Sequence, residues 1–289
     1  TPYIAMGYEM SGDFHERTRL MAVSQWIGQW AWVIVPWFWV VIYNPEYFPD
    51  AAAGARSLSI WVGLGCLALC MVPALFCKTQ PTPKNLEVIS RKNLGNNVST
   101  LFKGMAETLK NKPFRQLCIS TFFVFNAFNM VAGFSFFIIV HYMNGGDAGA
   151  AGTWPAWFGT LSALSTCFLV IPAVNLLSQR VGKKNAFLIS QGVSLIGYVM
   201  FWWCFQPENP MLMFLPLPLF AFGIGSLFTL MMSMTADVCD TDALETGSRR
   251  EGTFGAVYWW TVKFGFAIAG FMTGAILKFV GFDQSLPQQ

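Results

Sequence analysis

Long apolar runs, each bounded by short polar or basic stretches, dominate the chain. Seven are long enough to cross a bilayer core, which takes about 20 residues of helix. They are expected at approximately Leu20 to Tyr43, Leu58 to Phe76, Leu117 to Val140, Thr153 to Leu177, Ala186 to Phe205, Met211 to Ala236 and Phe254 to Leu277. Lipid offers no partner to backbone N–H and C=O groups, and the alternation of barrel strands is missing, so the runs are read as helices and the fold as all-α. Pro36, Pro172, Pro216 and Pro218 fall inside or near the ends of these runs. Kinks there are tolerated where neighbouring helices satisfy the freed carbonyls. The lead Pro2 to Met10 reads as the last turns of a helix begun before Thr1, and no initiating Met or signal peptide is present, so a piece of a longer protein is expected.

The polar stretches set the orientation. Four alternate connections hold 15 of the 18 basic residues: Arg17 and Arg19, Lys78 through Arg115, Arg180 with Lys183 and Lys184, and Arg249 with Arg250. By the positive-inside rule these face the cytoplasm, and an odd number of crossings then leaves the C-terminal end outside. The longest connection, with Pro81 and Pro83, reads as a linker over 79–115 between a first bundle over 1–78 and a second over 116–289. Within it Val98, Leu101, Phe102, Met105 and Leu109 recur at helical spacing opposite Lys103, Glu107 and Lys110, which predicts a short amphipathic helix at the inner face. The sequon Asn97-Val98-Ser99 lies on that side, where glycosylation is not expected.

Composition narrows the class. With 54% hydrophobic and 11% charged residues, and 28 Phe and 12 Trp, lipid is a principal partner of the chain and nucleic acid is not. The seven cysteines sit mostly in apolar runs without the spacing of a zinc site or disulfide framework, so they read as small apolar fillers, and neither metal nor cofactor is expected.

Charge placement singles out one residue. The 15 acidic residues fall in connections or at helix ends, and Lys263 is the one charged side chain deep in a span. A lysine at that depth costs several kcal/mol, so it faces a carboxylate, a water-filled cavity or a ligand, with a structural ion pair as the alternative. Trp259 and Trp260 precede it by about one turn, and Ala256, Ala267, Gly270 and Gly274 continue its side of the helix. An indole beside the ammonium can stack on a sugar ring, or else face lipid. Asn126 and Asn129, three residues apart, are candidates to line the same cavity or to bond between helices. Gln25 is a weaker candidate of the same kind, and His141 reads as an interfacial residue.

Two inner stretches mix both signs of charge. One has Asp13, Glu16, Arg17 and Arg19; the other has Asp237, Asp240, Asp242, Glu245, Arg249, Arg250 and Glu251. Each follows a span and leads into a Trp-rich one, as an internal duplication would produce. They read either as a cytoplasmic gate between two bundles or as solvated loops that fix topology.

Pro2-Tyr3 through D-F-H-E-R-T-R-L at 13–20, and T-A-D-V-C-D at 235–240 followed by R-R-E-G-T and a lysine ten residues on, resemble the glycoside-pentoside-hexuronide:cation symporters of the major facilitator superfamily. The resemblance implies twelve helices in two halves, with this chain running from the end of helix 4 to helix 11. It implies that Lys263 stands near the sugar and cation sites, and that the cation-binding carboxylates precede Thr1. It also places Asp13, Arg17, Asp237, Asp240, Arg249 and Glu251 in the inner charged loops. Gln25 stands about where the melibiose-transporting member has an arginine, so a different sugar is expected.

The reading is a non-enzymatic secondary transporter in a cell membrane, with a bacterial inner membrane expected. It would carry a sugar or glycoside with Na⁺ or H⁺ by alternating access. The competing reading is a carrier of lysolipids or other amphiphiles on the same fold. A seven-helix receptor or a membrane enzyme is a weaker alternative: the first would put its N-terminal end outside, and the second lacks ligand-spaced clusters in the inner acidic stretches.

Overall fold

The computed structural model describes residues 14–42, 46–76, 104–146, 151–247 and 250–282, and these are helical with short turns. In chain order the elements are α1 Phe14–Ile34, α2 Trp37–Ile42, α3 Ala51–Phe76, α4 over 104–110, α5 Lys112–Tyr142, α6 Trp154–Val181, α7 Lys183–Cys204, α8 Pro210–Thr246 and α9 Glu251–Val280. Six of them, α3 and α5 to α9, are long and apolar enough to cross a membrane. The lead Pro2 to Met10, the sequon and residues 98–103 of the amphipathic stretch lie outside the described residues.

The expected span Leu20 to Tyr43 is two helices. Val35 and Pro36 form a turn between α1 and α2, where the Phe38 N–H donates to the carbonyl of Val35 at 3.1 Å. Proline has no N–H for the helical ladder and its ring crowds the carbonyl four residues back, so the run breaks there. Ser24, Gln25 and Gln29 lower its hydropathy further.

Local sequence accounts for the other ends. Asn111 caps α5, its Oδ1 accepting from the Phe114 N–H at 3.2 Å, with Pro113 in the first turn where no donor is needed. Gly182, at φ +81°, makes the one-residue link from α6 to α7 in a conformation that favours glycine. Gly247 ends α8 at φ +68°, its N–H donating to Ala243. Since nothing breaks the chain before Gly247, Asp237, Asp240, Asp242 and Glu245 ride the last turns of α8 rather than a loop. Three π-turns interrupt the spans, at Ile138–Tyr142, Thr166–Val170 and Leu227–Met231.

The core is built around α8. Its Ala221, Leu227, Leu230 and Met231 pack with Phe114 and Phe125 of α5, Val170 and Val174 of α6, and Phe254, Val257 and Tyr258 of α9. Burial of small residues lets α7 and α8 meet closely: a Cβ at Gly197 would lie 2.5 Å from the backbone nitrogen of Phe220. Ser194 donates there to the Phe220 carbonyl, and Gln191 to Gly223 O and Ser226 Oγ. α1 lies against α6 and α8, burying Thr18, Met21, Ala22 and Gln29. α4 seats Met105 against the core and buries Thr108, while Leu109 of the same predicted apolar stripe is exposed.

Candidate functional site

Lys263 stands near the middle of α9 on its exposed side, and it makes no ion pair among the described residues. Residues 263, 270 and 274 recur at helical spacing, so the ammonium is in line with Gly270 and Gly274. Those glycines, with Asn129, Gly133, Phe137, Phe266, Thr273 and Leu277, line a groove of about 340 Å³ between α5 and α9. Lys263 and Asn129 therefore share one side of the α5–α9 pair.

Asn126 does not join them. Its Nδ2 donates to the Phe122 carbonyl at 3.1 Å, and it faces Gly265, where an added Cβ would lie 3.1 Å from that nitrogen. Gly265 is two positions on from Lys263, which is about 160° around the helix. Asn129 Nδ2 donates to the Phe125 carbonyl at 2.8 Å, which leaves its carbonyl oxygen as the acceptor presented to the groove.

The paired tryptophans diverge. Trp260 is 59% exposed and stacks on Phe264 at 5.2 Å, with planes 6° apart. Trp259 turns inward and stacks on Phe228 at 5.9 Å and 17°. Its Nε1 is buried without a hydrogen-bond partner among the described residues, as is Thr229 Oγ1. Phe228 and Thr229 both belong to the π-turn of α8, a distortion that often marks functional positions. Sequence reasoning missed these two, because a π-turn leaves no trace in an apolar run. Gln25 is half-buried on α1, while Gln29, one turn on and not singled out from sequence, is buried to 6% exposure.

The inner charged residues form pairs. Lys183 at the start of α7 meets Asp237 of α8 at 2.6 Å, with side-chain exposures of 3% and 27%. Arg250 embraces Asp242 with Nε at 3.0 Å and Nη2 at 2.7 and 2.8 Å. Its Nη1 reaches Glu107 of α4 at 3.1 Å, tying the linker helix to the α8–α9 turn. Glu251 is buried in the first turn of α9, where a carboxylate favours the helix dipole. Glu16, Asp240 and Glu251 are each engaged in contacts. Thr18 of α1 and Ser233 of α8 share a buried hydrogen bond of 2.9 Å. Asp13, Arg249 and the side chain of Arg17 lie outside the described residues. His141, in the π-turn of α5, stacks on Phe137 and meets Phe282 edge-on.

The apolar spans define a multi-pass membrane protein, whose mid-helix lysine makes no ion pair among the described residues and lies beside aromatic rings and a groove. The chain belongs to the MFS/sugar transport protein family, which it matches over residues 1–289. That family places it among the glycoside-pentoside-hexuronide relatives within the major facilitator superfamily. It is 26% identical to a glucuronide carrier protein homolog of Escherichia coli (strain K12) over 212 residues, which is 73% of this chain and 43% of that relative. It is 24% identical over 191 residues to a provisionally assigned sulfoquinovose importer of the same organism, covering 66% of this chain and 39% of the relative. An uncharacterized symporter of Synechocystis sp. is 31% identical over 128 residues, or 44% of this chain and 23% of that protein. The chain spans less than half the length of these relatives.

Proposed function

We propose that the full protein is a secondary transporter that moves a sugar or glycoside together with Na⁺ or H⁺ by alternating access. The observation that carries this is Lys263, held at bilayer depth on an accessible helix face and left without an acidic partner among the described residues. Such a charge is tolerated where water, a ligand or a second charge reaches it. Trp260 beside it, 59% exposed, offers a ring face, and Asn129 offers an acceptor to hydroxyl groups. The glucuronide and sulfoquinovose named for two relatives are both anionic sugars, which an ammonium suits, and they are the first solutes to test. The coupling cation would bind mostly at carboxylates outside this chain. Lys263 would then register its arrival electrostatically.

One observation favours the second reading, a lysolipid or other amphiphile as cargo: apart from Asn129 and Thr273, the groove lining is apolar. The deciding experiment is uptake into vesicles by the full-length protein. Labelled glucuronide, a neutral glycoside and a lysolipid are offered with and without Na⁺ or H⁺ gradients, and Lys263→Ala is run beside the parent. Gradient-driven uptake of a glycoside, cut at least about tenfold by the substitution, is the expected result. Lysolipid uptake alone would replace the sugar reading, and uptake indifferent to both gradients would remove coupling.

A further inference from the structure

α1 touches α6 and α8 at three levels, and the contact remote from the basic loops has a construction of its own. Near the basic ends the tie is the Thr18–Ser233 hydrogen bond. Half-way along, Trp26 and Trp30 meet Phe168 edge-on at 6.4 and 6.1 Å. At the far end the turn that breaks α1 from α2 is locked into α6. A Cβ at Gly159 would lie 2.6 Å from Cγ of Pro36 and 3.1 Å from its Cβ, so the proline ring occupies a notch that exists because residue 159 has no side chain. Beside it the Trp37 indole N–H donates to Thr160 Oγ1 at 2.9 Å, and Thr160 donates in turn to the Val33 carbonyl at 3.2 Å. Trp37 also sits edge-on to Trp157 at 5.2 Å.

That relay satisfies a carbonyl near the point where the break at Pro36 strips helical donors from the end of α1. The lock is thus supplied by the kink itself. A straight α1 would need neither the Thr160 hydroxyl nor the notch. Thr160 is only 5% exposed, so while the lock is closed water does not reach it.

We propose that Pro36–Trp37 and Gly159–Thr160 form the outer latch of the seam between the two bundles, and that releasing it opens the protein to the outside. This rests on the transporter reading above. Separating the helices at this end would cost the indole–hydroxyl–carbonyl relay and one ring contact, a small barrier of the size that ligand binding can overcome. The Thr18–Ser233 bond at the opposite end joins hydroxyls remote from Pro36, so it does not depend on the break between α1 and α2.

The test uses the full-length protein with its native cysteines replaced and a single reporter, Gln29→Cys, buried in the same seam. In right-side-out vesicles a membrane-impermeant maleimide reads its exposure to the outside, and uptake is measured in parallel. Gly159→Val, which drives a side chain into Pro36, and Trp37→Phe, which removes the donor, are each expected to raise external labelling about threefold or more. Pro36→Ala combined with Gly159→Ala relieves the 2.6 Å clash, so it is expected to label less than Gly159→Ala alone. Labelling unchanged in both Gly159→Val and Trp37→Phe overturns the latch. Failure of the transport reading shows elsewhere, as parent protein that takes up no solute, and labelling still reports whether the seam opens.

Discussion

Two lysines of this chain are held in opposite ways. Lys183, at the start of α7, is buried to 4% exposure with Asp237 2.6 Å away. Lys263, in mid-span, is exposed on its helix and meets no carboxylate among the described residues. The first charge is neutralised inside the fold and serves structure. The second is left uncommitted at a depth where charge is costly, and its cost is met only if something outside these helices engages it. Burial and pairing thus distinguish the two cations more sharply than sequence depth alone.

The comparison breaks first at Asp237. Asp237→Asn removes the carboxylate 2.6 Å from the buried Lys183 ammonium, and removing one partner of a buried pair costs about 3 kcal/mol. In detergent the full-length protein is expected to lose several degrees of thermal stability. Lys183→Met is the milder change, because the Asp237 side chain is 27% exposed and can turn to water. Its expected cost is about 1 kcal/mol. Equal losses in the two variants would mean that the pair is solvated and that Lys183 is no structural charge.

Much of the fold was legible because bilayer depth imposes length and apolarity: six expected spans fall, to within a residue, inside α3 and α5 to α9. The break at Pro36 was visible as a proline and not as a break, since a proline in a membrane helix is compatible with kink and interruption alike. The acidic residues from Asp237 to Glu245 looked like a loop because polarity was read as the end of helix, whereas helix ends are set by Gly247 and its positive φ. In the candidate site, Lys263 was legible from charge in an apolar run. The turning apart of Trp259 and Trp260, and the separation of Asn126 from Asn129, depend on which neighbour each helix face meets. Lys183 as the partner of Asp237 needed the α7–α8 pairing, which no spacing within either segment discloses.

Between the two lysines lies Arg250, with one buried partner and one exposed. Asp242 is 6% exposed in its side chain and binds the guanidinium in two places, whereas Glu107 is 59% exposed and makes one contact. Glu107→Gln is therefore expected to cost about 0.5 kcal/mol at low salt and nothing measurable at about 1 M salt, where exposed pairs are screened. A loss that persists in high salt would show α4 to be clamped by desolvated charge, on the Lys183 side of the comparison.

The smallest expected change in stability belongs to the residue with the largest expected role. Lys263→Ala removes no ion pair among the described residues, and it takes away a charge whose placement at bilayer depth is unfavourable to folding. Thermal stability of the full-length protein in the absence of solute is thus expected to stay within about 0.5 kcal/mol of the parent or to rise. Uptake, by contrast, falls. A protein that transports poorly because it is destabilised loses both together; one that has lost a ligand-facing ammonium loses transport alone. If Lys263→Ala unfolds as readily as Asp237→Asn, the mid-span lysine is paired within the complete protein as tightly as Lys183 is here. The contrast between them would then be one of location and not of role.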